Sequence, residues 1–165
     1  FKLSFYTLPE MEQIVLRTAR ILGVPLADGA ADRIGSSCRA TPRIANRLVR
    51  AMRDFAQVSG EEGISVDRVC TTLETLGIDD RGLDRTDRAI LQAIIEKFAG
   101  GPVGLGTLAA VTAEEEETLE DVYEPYLMQQ GYLQRTPKGR MATQLAYGLL
   151  GMNMPESAQK NLFMA

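Results

Sequence analysis

The sequence contains no histidine, no tryptophan and only two cysteines among its 165 residues. Without histidine, the chain cannot use an imidazole as a general base, as the activator of a nucleophile or as a metal ligand. Cys38 and Cys70 stand alone without a CxxC spacing, which indicates reduced thiols rather than a disulfide framework. We therefore predict neither a metal site nor a histidine-dependent catalytic centre.

Long apolar runs are also missing. No stretch approaches the length of a membrane-spanning helix, and the first nine residues lack the charged start and apolar core of a signal peptide. These absences favour a cytoplasmic protein that does not bind a membrane. The chain begins with phenylalanine instead of methionine, so we expect it to be part of a longer protein.

Positive charge is scarce overall, because the net charge is −4. Residues 1–78 contain ten Lys and Arg against nine Asp and Glu, and residues 79–165 contain eight against thirteen. Neither half has the composition of a general polyanion binder. Any contact with nucleic acid must therefore depend on a local basic feature.

The clearest helix signal lies in residues 40–54, which read ATPRIANRLVRAMRD. Thr41 can cap the helix, and Pro42 suits its first turn because proline lacks only an N–H that would be unpaired there. The apolar residues that follow at helical spacing are Ile44, Ala45, Leu48, Val49, Met52, Phe55 and Ala56. The arginines of a second stripe are Arg43, Arg47, Arg50 and Arg53. A first-turn cation faces the positive end of the helix dipole, so Arg43 gains nothing there and is expected to act elsewhere.

Residues 1–78 carry the patterns of four amphipathic helices with short links, which predict a compact helical bundle. The second and fourth helices are predicted at 28–36 and after a Ser65 cap, and the third runs to about Val58. Residues 78–83 read IDDRGL and mark the best domain boundary, because an acidic, glycine-containing stretch follows a helix stop.

Residues 79–151 have a different order of elements. A helix from Asp84, a short helix near 107–111 and a third helix capped by Thr118 are followed by two extended segments, 132–136 and 140–143. Helix, helix, helix and hairpin is the order of a winged-helix domain. The predicted fold is therefore mainly α, a four-helix bundle followed by a winged helix with a short β-hairpin wing. Residues 152–165 lack periodicity and are predicted to be a mobile tail.

The charges of this second domain point to the hairpin as a nucleic-acid contact. The third helix carries Glu120, Asp121 and Glu124, which would repel phosphates. The hairpin reads RTPKGR, and its candidate DNA-binding residues are Arg135, Lys138, Gly139 and Arg140. Three cations within six residues predict a salt-sensitive, sequence-independent grip, with the glycine allowing close approach. A basic hairpin that is merely solvated is the alternative.

Five strings in this order resemble the RuvB family of AAA+ ATPases, the bacterial motors of Holliday-junction branch migration. They are TPRIANRL, GLDRTDRAIL, GGPVGLGTLAA, EDVYEPYL and GYLQRTPKGR, and the resemblance covers residues 3–151. It implies an AAA+ small helical lid domain over 1–78 and a winged-helix DNA-binding domain over 79–151. The family's phosphate-binding loop has no counterpart, since no GxxxxGK[ST] occurs here.

The resemblance also implies roles for single residues. Arg43 matches the sensor-2 arginine that reaches nucleotide phosphates, and Pro42 and Tyr6 match positions near the adenine. Ala40 stands where the family usually has glycine, and Lys138 stands where the wing usually has arginine. If position 40 needs a positive φ, alanine is strained there. Without the resemblance, Arg43 reads as a surface arginine or a member of a local ion pair.

For the intact protein, the resemblance implies ATP and magnesium as cofactors, a homo-hexameric ring, Holliday-junction or duplex DNA as substrate, and RuvA bound through an N-terminal domain absent here. The chain alone is expected to be inactive as an ATPase and to hold no cofactor tightly. Two alternatives remain at this stage: a non-enzymatic winged-helix transcription regulator with a helical dimerisation or sensing bundle, and a purely structural interaction module. A regulator would be expected to carry a basic third helix.

Overall fold

The computed structural model describes residues 5–79, 81–156 and 158. Over these residues the chain is mainly helical. The helices are α1 Leu8–Ile21, α2 Ala30–Ser36, α3 Pro42–Val58, α4 Val66–Leu76, α5 Arg85–Gln92, α6 Leu105–Thr112, α7 Glu116–Thr118, α8 Glu124–Gln129 and α9 Gln144–Leu149. Strands β1 Leu133–Thr136 and β2 Gly139–Ala142 form one antiparallel hairpin. The predicted class, a mainly α fold with a helical bundle, a winged helix and a short hairpin, is confirmed.

The chain divides into two compact units, Phe1–Asp84 and Arg85–Ala165. This division falls after the predicted boundary stretch 78–83, and the domain limits at residues 78 and 79 stay a prediction. The predicted mobile tail lies partly outside the described residues, at 157 and 159–165. Within the described part, Ala158 is buried and the Met152 N–H donates to the Tyr147 carbonyl oxygen at 2.8 Å.

The first unit is the helical bundle α1–α4. At the start of α1, one carboxylate oxygen of Glu10 accepts hydrogen bonds from both the N–H and the hydroxyl of Thr7, at 2.7 and 2.8 Å. The buried apolar stripes of the helices meet in one core, whose largest fully buried side chains are Met11, Ile34, Leu48, Met52, Ile64 and Leu73. A polar bond joins α1 to α3, since the Thr18 hydroxyl donates to Asn46 Oδ1 at 2.6 Å.

Helix limits in this unit follow the local signals closely. Helix α3 begins at Pro42 and ends at Val58, as predicted, and Ser65 Oγ caps α4 by accepting from the Arg68 N–H at 3.1 Å. Helix α2 begins at Ala30, two residues later than predicted. A parallel bridge between Leu26 and Ile64 ties the α1–α2 and α3–α4 connections together.

The second unit is the winged helix. Helix α5 continues as a π-helical turn over Ala93–Lys97, and a second π-helical turn, Leu119–Tyr123, joins α7 to α8. The third helical segment begins at Glu116, so the prediction that Thr118 caps it is wrong. The second π-helical turn immediately precedes Glu124 and Pro125, where the missing proline N–H interrupts the regular α-helical bonding pattern.

A third extended segment lies beside the hairpin. Val103 and Arg140 form an antiparallel bridge with both backbone hydrogen bonds, at 2.8 and 2.9 Å. Strand β2 is therefore flanked by β1 on one side and by Val103 on the other, which accounts for the burial of all four β2 residues. The core beneath contains Ile90, Leu91, Ile94, Leu108, Leu119 and Leu127.

Candidate functional site

The candidate phosphate sensor, Arg43, is the second residue of α3 and is exposed. The start of this helix is held in place in two ways. The Thr41 carbonyl accepts hydrogen bonds from the N–H groups of Ile44 and Ala45 at 3.0 and 3.1 Å. The inward side chains of the helix are buried, namely Ala45, Leu48, Val49, Met52 and Ala56. Within the described parts of the chain, no hydrogen-bond or ion-pair partner of the Arg43 guanidinium is found. The local-ion-pair alternative therefore has no support among these residues, and the guanidinium is open to an anion.

The backbone before Arg43 is unusual. Arg39 and Ala40 both have positive φ, +53° and +49°, and the Thr41 N–H donates to the Cys38 carbonyl at 3.0 Å. Two central residues with positive φ are the geometry of a type I′ turn, which favours glycine, asparagine or aspartate. Ala40 thus occupies a position for which glycine is better suited, and the condition set out from the sequence for strain at this turn is met.

The other arginines of α3 divide by their contacts. Arg53 donates from Nε and Nη2 to Asp54 Oδ1 at 2.9 and 2.6 Å, which is a surface ion pair. Arg47 and Arg50 are exposed. Arg47 borders an open concavity of about 400 Å³ within the first unit, together with Ser37 and Arg39.

Tyr6 lies two residues before the start of α1 and is 48% exposed. It borders an open groove of about 510 Å³ whose walls include Gln13, Arg17 and Arg20. Among the described residues that line this groove, neither Pro42 nor Arg43 occurs. The groove beside Tyr6 therefore does not include the other two candidate nucleotide residues.

The tip of the wing is a two-residue turn, Pro137–Lys138, with Thr136 opposite Gly139. The Thr136 hydroxyl donates to the Gly139 carbonyl at 2.9 Å and accepts from the Lys138 N–H at 3.2 Å, which stiffens the tip. The Lys138 side chain is exposed, and the Arg135 side chain is 53% exposed. These two cations lie where the sequence predicts them, on the outside of the hairpin.

Arg140 is buried, which corrects the prediction that it is an exposed cation on the wing. Its residue exposure is 8%, and its Nε and Nη2 donate to the two carboxylate oxygens of Glu124 at 2.5 and 3.2 Å. Glu124, at the start of α8, is itself 1% exposed. The burial of Arg140 results from tertiary packing, because β2 lies between β1 and Val103. The Nη1 edge of the guanidinium is not used by Glu124.

Gly139 is explained by packing within the domain. Its φ is +137°, and a Cβ built on it would lie 2.4 Å from the Val103 carbonyl oxygen and 2.6 Å from the Val103 carbonyl carbon. Any side chain would separate Val103 from β2. The glycine therefore allows close approach of the protein's own backbone at Val103, and not the predicted close approach of DNA.

The acidic third helix and the basic wing are connected, which sequence reasoning missed. Arg135 and Arg140 are directly opposite each other across the hairpin, and like charges so placed repel. Glu120 faces Arg135 with a 2.7 Å ion pair, and Glu124 faces Arg140. The signal was present in the sequence as two carboxylates four residues apart, but only the packing of helix on hairpin matches them to the two arginines.

A four-helix bundle followed by a winged helix with an exposed basic wing defines a class of helical two-domain chains suited to contacting phosphates. Comparison with known protein families identifies both domains. Residues 6–79 match the model of the RuvB AAA lid domain, and residues 80–151 match the model of the RuvB C-terminal winged helix domain. The chain therefore belongs to the RuvB family and carries these two domains, as the sequence strings predicted.

Similar proteins support the same assignment. The chain is 49% identical over 162 residues to the Holliday junction branch migration complex subunit RuvB of Myxococcus xanthus, covering 98% of this chain and 47% of that protein. It is 54% identical over 155 residues to the same subunit of Chloroflexus aurantiacus, covering 94% of this chain and 44% of that one. The chain thus spans about half the length of the curated relatives it matches.

A solved structure agrees with the fold. The Thermotoga maritima RuvB Holliday junction branch migration motor superposes with a TM-score of 0.88 at 48% identity, covering 93% of this chain and 51% of that chain. Matches of both halves to RuvB domains do not support the transcription-regulator alternative.

The described residues were also compared with the requirements of a metal cluster and of a membrane-spanning helix. Within residues 5–79, 81–156 and 158, no group of three His, Cys, Asp or Glu side chains is arranged to hold a metal ion. No helix in that described part is both long enough and apolar enough to cross a membrane.

Proposed function

We propose that this chain supplies the lid and the DNA-binding domain of an ATP-dependent motor that drives Holliday-junction branch migration in recombination and repair. The observation that carries the proposal is the pair of exposed cations, Arg135 and Lys138, on a stiff hairpin of a RuvB winged helix. The two domains divide the work, with the lid sensing nucleotide and the wing holding DNA.

On the nucleotide side, we propose Arg43 as the sensor of ATP phosphates, with Pro42 and Tyr6 near the adenine. An exposed guanidinium in the first turn of α3 fits a phosphate contact, because it offers several donors in a rigid plane and is unpaired among the described residues. The phosphate-binding loop and the magnesium ligands belong to a part of RuvB proteins that this sequence does not contain. ATP with magnesium would supply the reacting phosphoryl group, and Arg43 would orient it and sense its loss.

On the DNA side, we propose that Arg135 and Lys138 contact backbone phosphates directly and that Gly139 shapes the tip. Arg140 contributes through its Nη1 edge while Glu124 holds the opposite edge. A few phosphate contacts give affinity without sequence preference, which suits a motor that moves along any duplex. In the intact protein we place these domains in a cytoplasmic homo-hexameric ring, with RuvA bound through a region outside this chain.

DNA binding is tested by fluorescence anisotropy with a short labelled duplex at several salt concentrations. We expect Arg135→Gln and Lys138→Gln each to weaken binding and to lower the slope of log affinity against log salt by about 0.9, the value for one phosphate contact. Arg50→Gln, at an exposed arginine of the other unit, is the matched control and should leave the slope unchanged. Parental affinity and slope in the double wing variant would refute the wing assignment.

The nucleotide role is tested by ATP turnover. The purified chain alone should hydrolyse no ATP above background, because it has no phosphate-binding loop. In the full-length protein, Arg43→Ala should reduce turnover, whereas Arg50→Ala on the same helix should not. Equal turnover in the Arg43 and Arg50 variants would contradict phosphate sensing by Arg43.

A further inference from the structure

The wing and the third helix form two parallel ion pairs of different character. Arg135 on β1 and Arg140 on β2 are cross-strand partners, and each faces one carboxylate of the helix, Glu120 or Glu124. The carboxylates of the third helix therefore pair with the same two arginines that the proposed function assigns to DNA.

Burial separates the two pairs. The side chains of Arg140 and Glu124 are 10% and 2% exposed, so breaking this pair would leave a charge buried without a partner. The side chains of Arg135 and Glu120 are 53% and 41% exposed, and their Nη1–Oε1 distance is 2.7 Å. An exposed pair of this kind is weak and exchanges readily, because water can solvate both charges when it opens.

We propose that Glu120 is a built-in competitor of the DNA backbone and sets the affinity of the wing by holding Arg135 until a phosphate displaces it. The inference rests on the proposed function, since it requires Arg135 to bind DNA. A phosphate and a carboxylate both accept hydrogen bonds from a guanidinium, so one replaces the other at the same donor edge. The displaced Glu120 carboxylate then remains near the bound phosphate and repels it.

This arrangement moderates the grip of the wing. A motor must release each phosphate as the duplex moves, and a waiting carboxylate offers Arg135 an alternative partner at every release. Glu124 has a different role from Glu120, because it is a positioning residue. It holds the Arg140 side chain and thereby keeps the β2 backbone between β1 and Val103.

The experiment measures duplex affinity of the chain by anisotropy for Glu120→Gln. We expect this variant to bind about twofold to fivefold more tightly at low salt, the range that corresponds to loss of one exposed ion pair. Asp121→Asn removes the same charge from an adjacent exposed position in the same turn and is the matched control. It should raise affinity by a smaller factor, since it removes only general repulsion.

A double-mutant cycle isolates the pair. In an Arg135→Gln background, Glu120→Gln should give no more gain than Asp121→Asn, because the competed arginine is gone. An equal gain from Glu120→Gln with and without Arg135, or an equal gain from Asp121→Asn, would overturn the proposal. If Arg135→Gln weakens binding but Glu120→Gln does not strengthen it, the competition fails while the DNA-binding wing stands. If Arg135→Gln has no effect, the competition and the assignment of Arg135 to DNA both fail, and the double variant of Arg135 and Lys138 then decides whether the wing binds DNA at all.

Discussion

Glu124 and Arg140 form a buried two-point ion pair between the first residue of α8 and the second residue of β2. The donor–acceptor distances are 2.5 Å for Nε to Oε1 and 3.2 Å for Nη2 to Oε2. Because the Arg140 backbone also pairs with Val103, this single residue joins helix, hairpin and the third extended segment. The hairpin is thereby fixed to the domain at the second residue pair from its Pro137–Lys138 turn.

Breaking this pair from one side should destabilise the winged helix strongly. We expect Glu124→Gln to lower the free energy of unfolding by about 3 kcal/mol, because it leaves the Arg140 charge buried without a counterion. The unfolding of this unit can be followed in urea by near-UV circular dichroism, since four of the five tyrosines lie in it, Tyr123, Tyr126, Tyr132 and Tyr147.

The exposed counterpart provides the control for this measurement. Glu120→Gln removes a carboxylate from an ion pair on the same hairpin face, and it should change the free energy of unfolding by less than about 1 kcal/mol. Equal losses in the Glu124 and Glu120 variants would show that burial does not distinguish the two pairs.

Ala40 offers a substitution that should stabilise the protein. Its φ of +49° lies in the left-handed region, which is unfavourable for alanine by about 1–2 kcal/mol. Ala40→Gly relieves that strain but makes the unfolded chain more flexible, so we expect a net gain of about 0.5–1 kcal/mol in the free energy of unfolding. Thermal unfolding of the first unit provides the measurement.

Replacing an alanine in a regular helix by glycine should instead lower the free energy of unfolding. Ala51→Gly, in the interior of α3, should lower the free energy of unfolding by about 0.5–1 kcal/mol. A loss of stability in both variants would mean that the turn at Ala40 is not strained.

The two cysteines should differ sharply in reactivity. Burial raises the pKa of the Cys38 thiol to about 12, so almost none of it is ionised near neutral pH, and the side chain is inaccessible. The Cys70 side chain is only half-buried, so a reagent can reach it. We expect a thiol-specific disulfide reagent to modify one thiol per native chain at pH 8 and two after denaturation. Cys70→Ser should abolish the native reaction, and a fast native reaction in that variant would contradict burial of Cys38.

Local signals were sufficient for most of the fold. Pro42 at the start of α3 and Ser65 before α4 each specify a helix start by chemistry within a few residues, and both helices begin where the sequence predicts. The Thr41 hydroxyl does not cap α3, because it donates to the Arg39 carbonyl oxygen. Strand β1 ends at Thr136 as predicted, whereas β2 begins at Gly139, one residue before the predicted start. Thr118 has the chemistry of a helix cap, but the third helical segment begins two residues earlier, at Glu116. Regular α-helical bonding is also interrupted just before Pro125, where the chain forms the π-helical turn Leu119–Tyr123.

Some features of the candidate sites could likewise be predicted from local sequence, and others could not. The exposure of Arg43, Arg135 and Lys138 follows from helix phase and turn position, which the sequence determines by itself. The burial of Arg140 and the packing role of Gly139 could not be predicted in this way. Both depend on Val103, which is distant in sequence and lies against β2. The sequence alone therefore determined which residues are charged, which elements they occupy and which family the chain resembles. Only the tertiary structure decided which charges pair with each other, since a carboxylate neutralises an arginine only when folding places it within hydrogen-bond distance.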